Sequence, residues 1–177
     1  QLLIDLNPLG ALEAAMMLAA VWWVWVMTTW ASNVLNPGST VVRLLLFAMM
    51  GAGLVVSTAI PTAFGGRGLA FAVALVLMQL ARSALLIWAF RRRPEECSHY
   101  ARIAVWLTAS GALWIAGPFL TAEGQMAVWG AALAIDYLGP VAGYWLPGRD
   151  RVDSERLDIA GEHMAERVGL FMIIALG

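Results

Sequence analysis

Five apolar runs of bilayer-crossing length occupy most of this chain, and nearly all its arginines fall in alternate gaps between them. The runs cover residues 10–31, 41–60, 66–90, 100–117 and 125–145, and a sixth begins near His163. A helix of about 20 residues rises about 30 Å, the thickness of the hydrocarbon layer. Strands do not fit these runs, which are too long and lack alternation between apolar and polar residues. An open sheet in lipid would also leave its edge amides unsatisfied, whereas a helix bonds its own backbone. The expected fold is all-α: a polytopic transmembrane helix bundle of five full spans plus the start of a sixth. No polar linker divides the chain, so residues 1–177 are expected to form a single helical membrane domain.

The arginines give an orientation. Odd-numbered gaps or their helix ends hold Arg43, then Arg91, Arg92, Arg93 and Arg102, then Arg149, Arg151 and Arg156, while the even gaps hold Arg67 alone. By the positive-inside rule the odd gaps face the cytoplasm and the first run starts outside. Trp30, Trp88 and Trp145 then fall at cytoplasmic helix ends, and Trp106, Trp114 and Trp129 are further candidates for the interfacial belts. Trp22, Trp23 and Trp25 lie deeper and are expected to pack. Arg91-Arg92-Arg93 is expected to anchor its helix end to anionic lipid headgroups. Pro140, flanked by Gly139 and Gly143, is expected to kink the fifth helix rather than end it. Small residues at Gly51, Ala52 and Gly53, and at Ala127, Ala131 and Ala134, offer places for helices to approach closely.

Composition narrows the classes further. The chain is 61% hydrophobic and 13% charged, about half the charged share of a soluble domain. A net charge of -1 gives no reason to propose a nucleic-acid partner. Cys97, the one cysteine, excludes an internal disulfide and a cysteine-based zinc site. No cofactor or metal set is expected, and no phosphate loop, nucleophile elbow or zinc-protease motif is present. The chain opens at Gln1 without a methionine and closes inside an apolar stretch too short to span alone, so a piece of a longer protein is expected.

Ionisable residues inside apolar runs are costly in lipid and must find shelter within protein. Arg82, in the inner half of the third run, and Asp136, near the middle of the fifth, stand out on that ground. Gln79 shares the Arg82 face and Ser83 borders it. One reading makes Arg82 and Asp136 a structural ion pair that fixes helix registry. The other makes them a counter-charge for a substrate or a gating pair. A second cluster, Glu162, His163, Glu166 and Arg167, stands where the sixth run begins. Glu166 and Arg167 lie three and four residues after His163 and so project to the same side of a helix. That grouping suits proton sensing or transfer, or an ordinary charged helix start.

The same stretch carries a resemblance. The string His163-Met164-Ala165-Glu166-Arg167-Val168-Gly169-Leu170-Phe171-Met172-Ile173-Ile174-Ala175-Leu176-Gly177 resembles a signature of the bacterial low temperature requirement A family. Val21-Trp22-Trp23-Val24-Trp25 with Asn33, then Arg43, then Ile60-Pro61-Thr62-Ala63-Phe64, is similar to that family in order and spacing. The resemblance implies a multi-pass protein of the bacterial cytoplasmic (inner) membrane linked to growth in the cold. It also implies an acidic, aromatic-rich helix before this region, with a glutamate and more helices after it.

Three functions fit these features. A transporter or channel-like protein for an ion or small solute explains charge in mid-membrane beside a helix distorted by proline. A membrane-embedded enzyme acting on a lipid or isoprenoid would use His163 and Glu166 as acid and base. A non-catalytic sensor or scaffold would respond to membrane fluidity. Transport is the expected function, the bilayer is the expected surrounding, and assembly into oligomers is left open.

Overall fold

In the computed structural model, residues 8–35 and 38–147 are described. They form five α-helices: α1 (Pro8–Val34), α2 (Thr40–Ala59), α3 (Gly68–Ala89), α4 (Pro94–Ala116) and α5 (Ala122–Val141). Short 3-10 turns at Ile60–Thr62 and Gly117–Phe119 follow α2 and α4, and there is no strand among the described residues. The all-α expectation holds for them.

α1, α2 continued through its 3-10 turn (Thr40–Thr62), and α3 are each long and apolar enough to cross a membrane. α4 and α5 have the length, at 23 and 20 residues, but carry more polar groups along it. Glu95, Glu96 and Arg102 sit in α4, and Glu123, Gln125 and Asp136 in α5.

α3 is the centre of the packing. It contacts α1, α2 and α4, while α5 lies against α4 and α1 and so completes a ring of α1, α3, α4 and α5. α2 leans on α3 from outside that ring. Burial follows this plan: 56% of the apolar window of α3 is buried, against 17% for α2. In lipid, apolar faces gain little from hiding, so association rests on close packing and on hydrogen bonds between helices.

Helix ends follow local chemistry. Pro94 occupies the first turn of α4, where its missing N–H costs nothing, and Glu95 and Glu96 face the positive dipole end. Thr121 caps α5 by accepting from the Gly124 N–H. The far end of α5 departs from expectation. The helix stops at Val141, one residue after Pro140, so the proline precedes a terminus rather than a kink. The Tyr144 N–H bonds the Gly139 carbonyl and the Gly143 N–H bonds the Pro140 carbonyl, with Gly143 at φ 60°. Those two bonds and the left-handed residue form a Schellman stop. The Tyr144 ring folds back over Gly139, where an added Cβ would lie 2.7 Å from its Cε1.

Other expectations need correction. Among the tryptophans, Trp114 and Trp129 are wholly buried core residues, not interfacial ones. Of the deeper trio only Trp23 packs inward, while Trp22 and Trp25 point outward and touch each other. The small residues Ala127, Ala131 and Ala134 are exposed, and a Cβ at Gly51 or Gly53 would meet open space. Close approach occurs instead at Gly117, where a Cβ would collide with the Trp129 indole. Residue type alone marks small positions but not the face they occupy.

Candidate functional site

The buried apolar residues form two clusters, one around Phe71, Leu75, Trp114 and Trp129 and one around Leu85, Tyr100, Leu107 and Tyr144. Between them lies a polar layer. Every helix of the ring contributes: Thr28 from α1, Gln79, Arg82 and Ser83 from α3, Ser110 from α4 and Asp136 from α5. On α3, Gln79, Arg82 and Ser83 recur at one-turn spacing, which keeps them on the inward face.

Asp136 is 3% exposed. Its Oδ1 accepts a hydrogen bond from the Ser110 hydroxyl at 2.5 Å, and its Oδ2 accepts from the Trp114 indole N–H at 3.2 Å. Trp114 is itself located by Trp129, whose indole N–H donates to the Trp114 carbonyl at 2.9 Å. Gln79, 2% exposed, stands close enough to interact with the same carboxylate, and its Oε1 is buried without a hydrogen-bond partner.

Arg82, also 3% exposed, turns the other way. Its Nη1 donates to Thr28 Oγ1 at 3.3 Å and, over a longer reach of 3.5 Å, to the Val24 carbonyl. Thr28 in turn donates to Val24 O at 2.6 Å, closing a small triangle on α1. A direct Arg82–Asp136 ion pair, one of the two readings, is therefore not made: each charge is held by neutral groups, and the two act on each other across a gap. Geometry explains this. The partners of Arg82 sit on α1 and those of Asp136 on α4, so the two side chains are drawn apart.

Two clefts flank the ring. One of about 550 Å³ runs between α1, α2 and α3, lined by Val24, Trp25, Thr28, Met49, Val56 and Leu75 among others. Thr28 and Val24, the partners of Arg82, form part of its wall. The second, about 400 Å³, opens where α2 begins and α3 ends, lined by Leu35, Ser39, Val42, Trp88, Ala89, Arg91 and Arg92. There Arg91 stacks 4.5 Å from the Trp88 ring centre and donates to the Trp88 carbonyl. Arg93 instead pairs with Glu96 at 3.1 Å.

The structure thus places Arg82, Asp136 and Gln79 in one buried layer, with Gln79 beside Asp136 and Arg82 turned toward α1. Glu162, His163, Glu166 and Arg167 lie outside the described residues. Sequence reasoning missed Ser110, Trp114 and Thr28. Ser110 was visible as a hydroxyl inside an apolar run, but Ser and Thr are common in membrane helices and bond their own backbone.

A layer of charge and hydrogen bonds within a bundle of apolar helices defines a membrane-type helical protein with an internal polar site. The chain belongs to the family described as Bacterial low temperature requirement A protein (LtrA), whose model matches residues 1–177. It is 45% identical over 168 residues to an uncharacterized protein of Rhizobium meliloti (strain 1021). That match covers 94% of this chain and 41% of the relative, so the chain spans less than half the length of the curated protein it matches. No solved structure matches the chain.

Proposed function

We infer that this chain forms part of a transporter or channel-like protein for an ion or small solute. The bundle has five spans and the start of a sixth within one membrane domain, residues 1–177. It sits in the bacterial inner membrane, with the ends of α1 and α3 and the start of α4 toward the cytoplasm. The observation that carries the reading is the buried layer in which Arg82 and Asp136 oppose each other without touching. Two charges committed only to structure gain most by direct contact, because either alone is expensive in hydrocarbon. Held apart, they present separate positive and negative points to whatever passes between the helices. Arg91 and Arg92, beside Trp88 and the start of α2, suit a lipid phosphate at the cytoplasmic surface.

The test is complementation at low temperature of a deletion strain with Asp136→Asn, alongside measurement of cellular ion and solute content. Loss of complementation at wild-type membrane abundance, with altered ion or solute content, is the expected result. Full activity of the variant would remove Asp136 from the mechanism. The apolar cleft between α1, α2 and α3 favours a second reading, an enzyme acting on a lipid or isoprenoid. Changed lipid species with unchanged solute content would select it. Neither change would leave the sensor or scaffold reading.

A further inference from the structure

We propose that Asp136 and Gln79 form a proton-binding site, in which the neutral acid donates its O–H to the Gln79 amide oxygen. The inference deepens the transport reading, on which it rests for its role, by naming the ion that the site takes.

The orphaned Gln79 Oε1 carries the argument. A buried amide oxygen without a donor has given up its water and gained nothing in return, and such groups are few in folded proteins. Gln79 is 2% exposed and lies against Asp136, itself 3% exposed. Facing a charged carboxylate, the amide offers its N–H group, and its oxygen is then left unserved. Turned over by half a rotation, the same amide offers an acceptor to a protonated acid. Glutamine is thus a two-way partner whose orientation follows the charge of its neighbour.

The other contacts select a proton over a metal cation. Trp114 Nε1 has no lone pair to accept with, so it always occupies Oδ2 as a donor. Ser110 donates to Oδ1 at 2.5 Å, and its hydroxyl can rotate toward the Leu107 carbonyl, 3.2 Å away. A metal ion needs several oxygen ligands at once, and here it would have to displace both donors in the presence of the Arg82 cation. A proton needs one lone pair and one acceptor.

The charged and titratable groups near Asp136 are few. α3 presents Arg82, and α5 and its cap present Tyr137 and Tyr144. Among the described residues of α1 and α4, the groups within reach are Ser110 and Trp114, which do not titrate. With both tyrosines neutral, Arg82 is the one charged group among these, and protonation changes chiefly the balance between it and Asp136. The guanidinium, already bonded to Thr28 and Val24 on α1, is then left as the uncompensated charge of the layer.

Infrared difference spectroscopy on the purified full-length protein in detergent, stepped in pH with choline as the salt cation, tests this without any flux measurement. The expected result is a protonated-carboxyl band that grows on acidification and is absent from Asp136→Asn. In Gln79→Leu the band persists at higher frequency, because the acid has lost its acceptor. Ser110→Ala keeps the band and moves it differently, which guards against misfolding of any one variant. A Gln79→Leu spectrum superimposable on wild type would overturn the proposal, as would a wild-type spectrum in which Asp136→Asn removes nothing. A band that responds to sodium at constant pH would assign the site to a metal cation instead. Failure of the transport reading would leave these spectra unchanged, and failure here would leave solute movement to be explained by another ion.

Discussion

Replacing Ser110 by alanine probes the polar layer with little change of shape. The side chain is buried, its Cβ is retained, and what disappears is the hydroxyl donated to Asp136 Oδ1. A hydrogen bond to an ionised group contributes about 1.5–3 kcal/mol net in soluble proteins. Within membrane bundles such bonds average about 0.6 kcal/mol and reach about 1.7 kcal/mol. The Ser110 bond is short, buried and made to the carboxylate itself, so a value near the upper membrane figure applies, about 1.5 kcal/mol. At about 2–4 °C per kcal/mol for a chain of this size, Tm should fall by about 3–6 °C. Thermal unfolding in micelles measures it, and a double-mutant cycle with Asp136→Ala isolates the pair. A coupling of about 1 kcal/mol is expected. Additivity within about 0.3 kcal/mol would mean that Ser110 stabilises the bundle independently of the carboxylate, and the account of the layer would be wrong.

Three further outcomes follow from the geometry. Gly139→Ala should cost about 1–3 kcal/mol in the same unfolding assay, since its Cβ would press on the Tyr144 ring at 2.7 Å and loosen the end of α5. Neutralising Arg91 and Arg92 to glutamine should weaken retention of anionic lipid, seen by native mass spectrometry, by about 5-fold for each arginine removed. At the polar start of α4, ahead of the apolar run, His99 is held below its ordinary value of 6.5, first by burial and then by Arg102. The unfolded chain therefore binds that proton more readily, so the contribution of His99 to stability is complete above about pH 6.5 and is lost as pH falls below it. His99→Gln should flatten that part of a pH–Tm profile, and an unchanged slope would exclude His99 as its source.

The helices were legible because apolar length is a property of the local chain, and Arg82 and Asp136 were legible because charge inside such a run is conspicuous. Their partners were not. Ser110 and Trp114 look ordinary in sequence, and only the packing of α4 on α5 turns them toward Asp136. Proximity of two opposite charges suggested a direct pair, yet Thr28 on α1 competes for Arg82. Tryptophan was the least informative residue. The same side chain suits an interface and a core, and Trp114 fills the core while Trp88 lies half exposed at a helix end. The stop at Val141 was present in Gly139, Pro140 and Gly143, but those three residues are equally compatible with a bend.

The outlying position of α2 divides the molecule mechanically. Four helices share the hydrogen-bonded layer, whereas the second packs mainly on α3 through apolar contacts, with one polar tie where Arg67 Nη1 donates to the Thr58 carbonyl at 3.3 Å. A change in bilayer thickness or lateral pressure is expected to act first on that helix, the least buried of the three apolar spans. A tilt there would widen or narrow the 550 Å³ cleft. The least buried helix is thus separate from the four that hold the ionisable chemistry.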